Sequence, residues 1–292
     1  MKTIINCNCK NCTHENNTTD CICQIKKGSD SFEVLCAGKW VLEKHYYLCR
    51  YFDVFTKAMA NRWKGGLYYI DLFSGPGKCI NRDTGEELDG SPLIALKYKF
   101  DKFIFVEKNK NSLDVLTKRC EALNLNKNIE YINKDCNNGI PDIKSLIPKN
   151  ALSIAFIDPF GLDFNFENYE LLTSDRRIDL IVNFPLGMAI KRNLRSQKLD
   201  IFLGGDEWRK KNLTSQNNLS SNITNYFKNN LEKLGYVRPK DYEEHYIGDV
   251  VVKSSLKVPL YYLVFASKDP LGSKFWDEIR KYDPSGQKTL FA

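Results

Sequence analysis

The sequence predicts an α/β protein built on a doubly wound, mostly parallel sheet. Three observations carry that expectation. Apolar runs at residues 67–73, 103–106, 129–132, 152–157 and 178–182 each end in a polar or acidic residue; segments of helical length separate most of them; and the first run passes straight into the turn Ser74-Gly75-Pro76-Gly77-Lys78. Strands that alternate with helices become parallel neighbours, and their carboxyl ends then gather along one edge of the sheet.

Ahead of the strands, residues 1–39 form a cysteine-rich head, set apart from an α/β domain over 40–292. Cys7, Cys9, Cys12, Cys21 and Cys23 fall within seventeen residues of this head, among Asn, Thr and Lys. So polar a segment cannot build an apolar core, and its thiols are the means of ordering it. Cys-x-Cys-x-x-Cys followed by Cys-x-Cys offers more than the four ligands of a tetrahedral zinc, which is the first expectation. An iron–sulfur cluster takes the same ligand type, disulfides need an oxidising compartment, and a tail whose cysteines bind nothing completes the alternatives. Cys36, Cys49, Cys79, Cys120 and Cys136 stand in apolar or motif contexts and read as packed thiols. No run approaches the roughly 20 apolar residues of a membrane span, and no signal-like stretch opens the chain, so a cytoplasmic protein without a membrane partner is expected.

Next, Val41, His45, Leu48, Phe52, Phe55, Met59 and Trp63 recur at steps of three or four, the spacing of one helix face. A helix of about six turns should pack on the body through that face. His45 lies on it, where a histidine bonded for structural reasons is the alternative to a functional one.

In an open parallel sheet, the carboxyl end of the first strand is where a nucleotide-like ligand sits, because glycines let the backbone approach it. Asp71, Phe73, Gly75, Pro76 and Gly77 are the candidates there. After an insertion at 80–90 and a helix opening at Ser91-Pro92, the second run ends in Glu107, an acid able to accept both ribose hydroxyl hydrogens. The third ends near Asp135, placed to meet an adenine amino group or neighbouring backbone. Taken singly, each acid has an alternative as the N-cap of the next helix. The fourth run ends in Asp158-Pro159-Phe160-Gly161 and is the most informative. A carboxylate, a rigid proline and an aromatic ring beside a cofactor suit an amino group as substrate. The carboxylate and nearby carbonyls accept its hydrogens and orient the nitrogen lone pair, while the ring stacks on the base that carries it. Ser-His-Asp and H-E-x-x-H arrangements are absent from the sequence, which holds three histidines.

Charge points to an anionic partner. Net charge is +7, from 43 Lys and Arg against 36 Asp and Glu, and residues 186–240 hold eleven basic and four acidic side chains, so the whole excess sits in one basic insertion. Lys191, Arg192, Arg195, Arg209, Lys210 and Lys211, near Trp208, are the candidate nucleic-acid contacts; a solvated basic loop is the alternative. Residues 242–252 and 258–267 should close the sheet as an antiparallel hairpin.

Several of these stretches resemble the three-Cys-motif partner protein family: Tyr69-Ile70-Asp71-Leu72-Phe73-Ser74-Gly75-Pro76-Gly77, Gly90-Ser91-Pro92-Leu93-Ile94-Ala95-Leu96, Phe105-Val106-Glu107-Lys108, Phe156-Ile157-Asp158-Pro159-Phe160-Gly161 and Leu180-Ile181-Val182-Asn183-Phe184. The match runs from about Trp40 onward and includes Lys44-His45. That family is similar to class I S-adenosylmethionine-dependent methyltransferases, with their Rossmann-like fold. The resemblance implies S-adenosylmethionine at Asp71, Gly75, Gly77, Glu107 and Asp135, with Asp158 and Phe160 facing the methyl acceptor. It also implies a phage-associated partner whose three-cysteine motif resembles radical S-adenosylmethionine enzymes. Two features depart from the pattern: Phe160 follows Pro159 directly where base amino-methyltransferases usually carry two prolines, and the cysteine-rich head lies outside the family core. The expected function is methyl transfer to an amino group of a nucleic-acid base. The competing reading is a nucleic-acid-binding subunit that keeps the fold without the chemistry.

Overall fold

A short strand, β1 (Leu35–Ala37), precedes the long helix α1 (Trp40–Met59) in the computed structural model, which describes residues 27–81, 84–187, 189–210, 219–236, 249–253 and 259–288. Cys7, Cys9, Cys12, Cys21, Cys23 and Lys211 lie outside the described residues, and of Lys210 only the backbone is described. Helix α1 buries Val41, Leu48, Phe52, Phe55 and Met59 as the spacing predicts, and adds Tyr47 and Tyr51 to that face. It ends one turn before Trp63, because the Arg62 and Trp63 amides both donate to the Met59 carbonyl at 3.0 and 2.9 Å and two glycines follow. Trp63 instead donates to the Asn150 carbonyl at 2.7 Å.

Strand β2 (Leu67–Asp71) stops two residues short of the expected run, where the Asp71 carboxylate accepts the Phe73 amide at 3.2 Å and turns the chain. The stretch read as an insertion folds into a hairpin of β3 (Lys78–Asn81) and β4 (Glu87–Asp89). Strand β3 also pairs in parallel with β1, so a second, three-stranded sheet ties the segment before α1 to the glycine turn. The helix predicted at Ser91-Pro92 is α2 (Ser91–Ala95), with Pro92 in the first turn where its missing amide costs nothing.

The remaining elements alternate: β5 (Lys102–Val106), α3 (Lys110–Ala122), β6 (Ile129–Ile132), α4 (Cys136–Ser145), β7 (Leu152–Ile157), α5 (Glu167–Thr173) and β8 (Arg177–Phe184). Then come α6 (Gln197–Leu203), α7 (Glu207–Lys210), α8 (Leu219–Lys233), β9 (Asp249–Lys253), β10 (Pro259–Ala266) and α9 (Pro270–Arg280). The main sheet has the order β6-β5-β2-β7-β8-β10-β9. Strands β5, β2, β7 and β8 pair in parallel with their neighbours and with β6, while β10 is antiparallel to both β8 and β9. This is the doubly wound, mostly parallel sheet that the alternation predicts, with the strand direction of connection reversing between β2 and β7. The expected antiparallel hairpin is present, its second strand inserted between β8 and the edge.

Period-two alternation sends successive strand residues to opposite helical layers. Ile70, Ile104, Val106, Ala155 and Leu180 pack with Ile140 and Ile143 of α4, Leu172 of α5, Phe202 of α6 and Phe227 of α8. On the other face Tyr69, Phe103, Phe105, Ile154 and Phe156 pack with α1, with Leu113 and Leu116 of α3, and with Trp276 of α9. Phe52 is fully buried with its ring centroid 5.0 Å from that of Tyr69 and 5.6 Å from that of Phe100. Burial pushes the Cys79 and Cys120 thiols up to about 11 and Cys136 up to about 12, as expected of packed thiols.

Asp179, on β8, is buried in this core, accepts from the Tyr51 hydroxyl at 2.7 Å, and is pushed up to about 6 by burial. A raised carboxylate favours the protonated form, so its contribution to stability is complete below the unfolded value of 3.8 and is lost as pH rises through about 6. Asp179→Asn keeps an acceptor for Tyr51 without the charge. Its unfolding free energy should therefore fall less between about pH 3 and about pH 7, by up to about 3 kcal/mol, in parallel denaturant titrations. Equal slopes for variant and wild type would show that Asp179 does not carry this pH dependence.

Candidate active site

The carboxyl ends of β6, β5, β2, β7 and β8 lie side by side in that order, so the residues following them share one edge. Ligands of open α/β sheets bind outside such an edge where the connection reverses, here between β2 and β7. Glu107 follows β5 and is half-buried. Its two oxygens accept the Gly75 amide at 3.0 Å and the Asn109 amide at 2.8 Å, which joins the acid to the glycine turn and leaves a free lone pair on each oxygen. Two vicinal hydroxyls match that geometry, so this end of the site fits the ribose of a nucleoside cofactor.

The glycine turn works differently from the expectation. Gly75, Pro76 and Gly77 are buried. Gly75 and Gly77 have φ of +56° and +86°, and a Cβ on them would come 3.0 Å from Leu35 Cδ1 and 2.7 Å from Leu116 Cδ1. Left-handed backbone and the packing of β1 and α3 are each enough to require glycine here. Pro76 contributes its carbonyl, which accepts Arg119 Nη1 at 2.6 Å.

Asp71 also departs from its expected role. It is fully buried, and its carboxylate accepts the Tyr69 hydroxyl at 2.9 Å, the Phe73 amide at 3.2 Å and the Ser91 side chain. Burial pushes it up to about 6. The side chain therefore braces the turn from within and has no face toward a ligand. Phe73 is half-buried, its ring centroid 6.4 Å from that of Phe164. Asp135 is the N-cap of α4, accepting the Asn137 amide at 3.0 Å, and remains half-buried beside Glu107. Here the capping alternative is realised.

Asp158 is not a cap, since no helix opens until Glu167. Its carboxylate is held from both sides. Lys44, from α1, forms an ion pair with Oδ2, and Asn183 Nδ2, from the end of β8, donates to Oδ1 at 2.6 Å. The Lys44 and Asp158 side chains are 13% and 21% exposed, which places the pair at the rim of the edge rather than in the core. Lys44 Nζ also lies 5.8 Å from the centroid of the Phe156 ring. Pro159 is buried, whereas Phe160 is 76% exposed, an aromatic ring presented to solvent beside the acid. His45 is half-buried next to Lys44; burial, with Lys44 and Lys97 adding to it, pushes its imidazole down to about 3, so it is neutral at neutral pH.

The basic residues divide into two groups. Lys191, Arg192 and Arg195 are exposed on the segment that leaves the carboxyl end of β8. Arg209 faces inward: it donates to Asp200 Oδ1 at 2.8 Å and to the Leu194 and Ser196 carbonyls at 2.5 and 2.9 Å. Its guanidinium lies 4.4 Å from the Trp208 ring; Trp208 is fully buried and presents no ring for stacking, while the Arg209 side chain stays 31% exposed. Among the described residues no group of three or more His, Cys, Asp or Glu side chains could hold a metal ion. No described helix is long and apolar enough to cross a membrane. A surface depression lined by Lys99, Asp101, Asn126 and Asn128 lies at the amino ends of the strands and contains none of these groups.

No family model matches the chain, and no curated protein matches it. Solved structures that resemble it include methyltransferases. Trm1 from Pyrococcus horikoshii, determined with S-adenosyl-L-methionine, is 13% identical over 80% of this chain and 57% of its own, with a TM-score of 0.43. TYW2 from M. jannaschii, in complex with AdoMet, is 13% identical over 79% and 76%, with a TM-score of 0.39. Protein LPL1258 from Legionella pneumophila is 12% identical over 84% and 94%, with a TM-score of 0.46.

Proposed function

We propose that the protein transfers a methyl group from S-adenosylmethionine to an exocyclic amino nitrogen of a nucleic-acid base. One observation carries this reading: on a single sheet edge, Glu107 keeps two lone pairs for vicinal hydroxyls, while two strands away Asp158 and the exposed Phe160 offer an acceptor for N–H groups beside a ring for stacking. The resemblance of the motifs to the three-Cys-motif partner protein family supports the same reading, and a partner carrying that motif remains part of it. When bound, S-adenosylmethionine supplies an electrophilic methyl on a good leaving group, so positioning accounts for most of the catalysis. Glu107 binds the ribose, Asp158 accepts an amino hydrogen and aims the nitrogen lone pair, and Phe160 stacks on the base.

Calorimetry with S-adenosylmethionine tests the cofactor end. Binding in the micromolar range is expected, and Glu107→Ala should weaken it by about 2 kcal/mol through loss of charge-assisted bonds. A wild type that binds neither cofactor nor its demethylated product would leave the chain as a nucleic-acid-binding subunit without chemistry. Nucleic-acid affinity tests the other end. Reversing charge at Lys191, Arg192 and Arg195 together should flatten the dependence of log K on log salt by about 3. An unchanged slope would return this segment to a solvated basic loop.

A further inference from the structure

Asn183 stands at the carboxyl end of β8 with its side chain against Asp158. It is 9% exposed, its Nδ2 donates to Asp158 Oδ1, and its Oδ1 is buried without a hydrogen-bond partner among the described residues. The assignment of the amide follows from chemistry, since a carboxylate only accepts, so Nδ2 must face Asp158. A buried acceptor left unpaired is destabilising, and such atoms in folded proteins call for an explanation. This one is carried on the same amide that holds Asp158.

We propose that Asn183 is a second catalytic residue, whose Oδ1 takes one hydrogen of the acceptor amino group while Asp158 takes the other. This rests on the methyl-transfer reading above. A primary amine on an aromatic ring has two N–H bonds and a lone pair; engaging both hydrogens in the plane of two acceptors leaves the lone pair as the only free direction. Lys44 and Asn183 Nδ2 fix the carboxylate from opposite sides, so the two acceptors keep a constant separation. In the transfer, the nitrogen lone pair forms the new N–C bond as the methyl–sulfur bond breaks and its electron pair returns to sulfur. The methylated nitrogen then gives one proton to Asp158, which is 21% exposed and passes it to solvent. The substrate class that follows is an unmethylated amino group, because a secondary amine offers one hydrogen and leaves one acceptor unpaired.

Two variants test it. Asn183→Ala removes acceptor and donor, and should lower kcat by about 100-fold while S-adenosylmethionine affinity stays within about threefold. Asn183→Asp places two carboxyls side by side, which cannot both ionise, so one holds a proton to above about pH 6. In that form it reproduces the amide, donating to Asp158 and accepting through its other oxygen. Activity of the Asn183→Asp variant should therefore recover to within about tenfold of wild type at about pH 5 and be lost by about pH 8. Carbon-13 titration of the carboxyl pair in the protein without cofactor should show the shared proton directly. Three outcomes overturn the proposal alone: a wild-type rate in Asn183→Ala, cofactor affinity falling in step with rate, or a pH profile of Asn183→Asp parallel to wild type. A wild type that binds no cofactor and transfers no methyl removes the underlying function and this assignment with it.

Discussion

If the proposed reaction holds, Asp158→Ala should lower the rate of methyl transfer by about a thousandfold or more, roughly 4 kcal/mol of barrier, and leave S-adenosylmethionine affinity within a few fold. The carboxylate follows β7, whereas Glu107, the acid proposed for the ribose, follows β5 with β2 between them. Loss of Asp158 also leaves Lys44, 13% exposed, without its counter-ion, and Asn183 Nδ2 without its acceptor. Melting temperature should therefore fall as well, and rate and stability have to be separated. Asp158→Asn narrows the structural loss: its amide oxygen still accepts from one of the two donors, so less stability is lost than in the alanine variant, but the charge and the second acceptor are gone and only slight activity should remain. Tritiated methyl incorporation into mixed nucleic acids, measured with thermal unfolding of the three proteins, decides the matter. An alanine variant that is fully active would sink the assignment. Loss of melting temperature at an unchanged rate would make Asp158 a brace between α1 and β8.

The sheet was legible because its signal is local. Each of the five apolar runs carries its own burial pattern, and alternation with helical segments implies parallel strands, so the shared carboxyl edge follows from chemistry within a few dozen residues. What was not legible depends on contacts far apart in sequence. Sequence alone gives Asp71 and Glu107 the same description, an acid at a strand end. Only the packing of Tyr69 and Ser91 around Asp71 makes one a buried brace and leaves the other open. Lys44 meets Asp158 across 114 residues, and no periodicity anticipates that pair. Arg209 and Trp208 read as an exposed basic and aromatic surface because charge density does not reveal that Asp200 and two carbonyls turn the guanidinium inward. The small sheet escaped because β1 is three residues long and its partner β3 lies beyond an intervening helix and strand, too short and too distant for any pattern.

That small sheet leads to the second large effect. Arg119→Met should destabilise the protein by about 3 kcal/mol and loosen the glycine turn, although Arg119 lies on α3 and touches no expected ligand. Its side chain is 3% exposed, and it joins two segments that the sequence does not connect. Nε and Nη2 donate to the two Asp30 oxygens at 2.8 and 3.0 Å, and Nη1 donates to the Pro76 carbonyl at 2.6 Å. The Arg119 guanidinium beside Asp30 holds that carboxyl well below the usual carboxylate range. Asp30 also pairs with Lys78 at 3.5 Å, so it keeps a partner in the variant, while the Pro76 carbonyl becomes a buried acceptor with none. Methionine fills the stem volume without the donors, which isolates the bonds from the packing. Two readouts follow from this geometry. Proteolysis within residues 28–37 should accelerate, since Asp30 and β1 lose their main tie to α3. Cofactor affinity should fall by about fivefold, because Gly75, whose amide bonds Glu107, is next to the released carbonyl. Lower stability with unchanged cofactor affinity would mean that the turn is held by Asp71 from within and that the Arg119 clasp serves only the segment before α1.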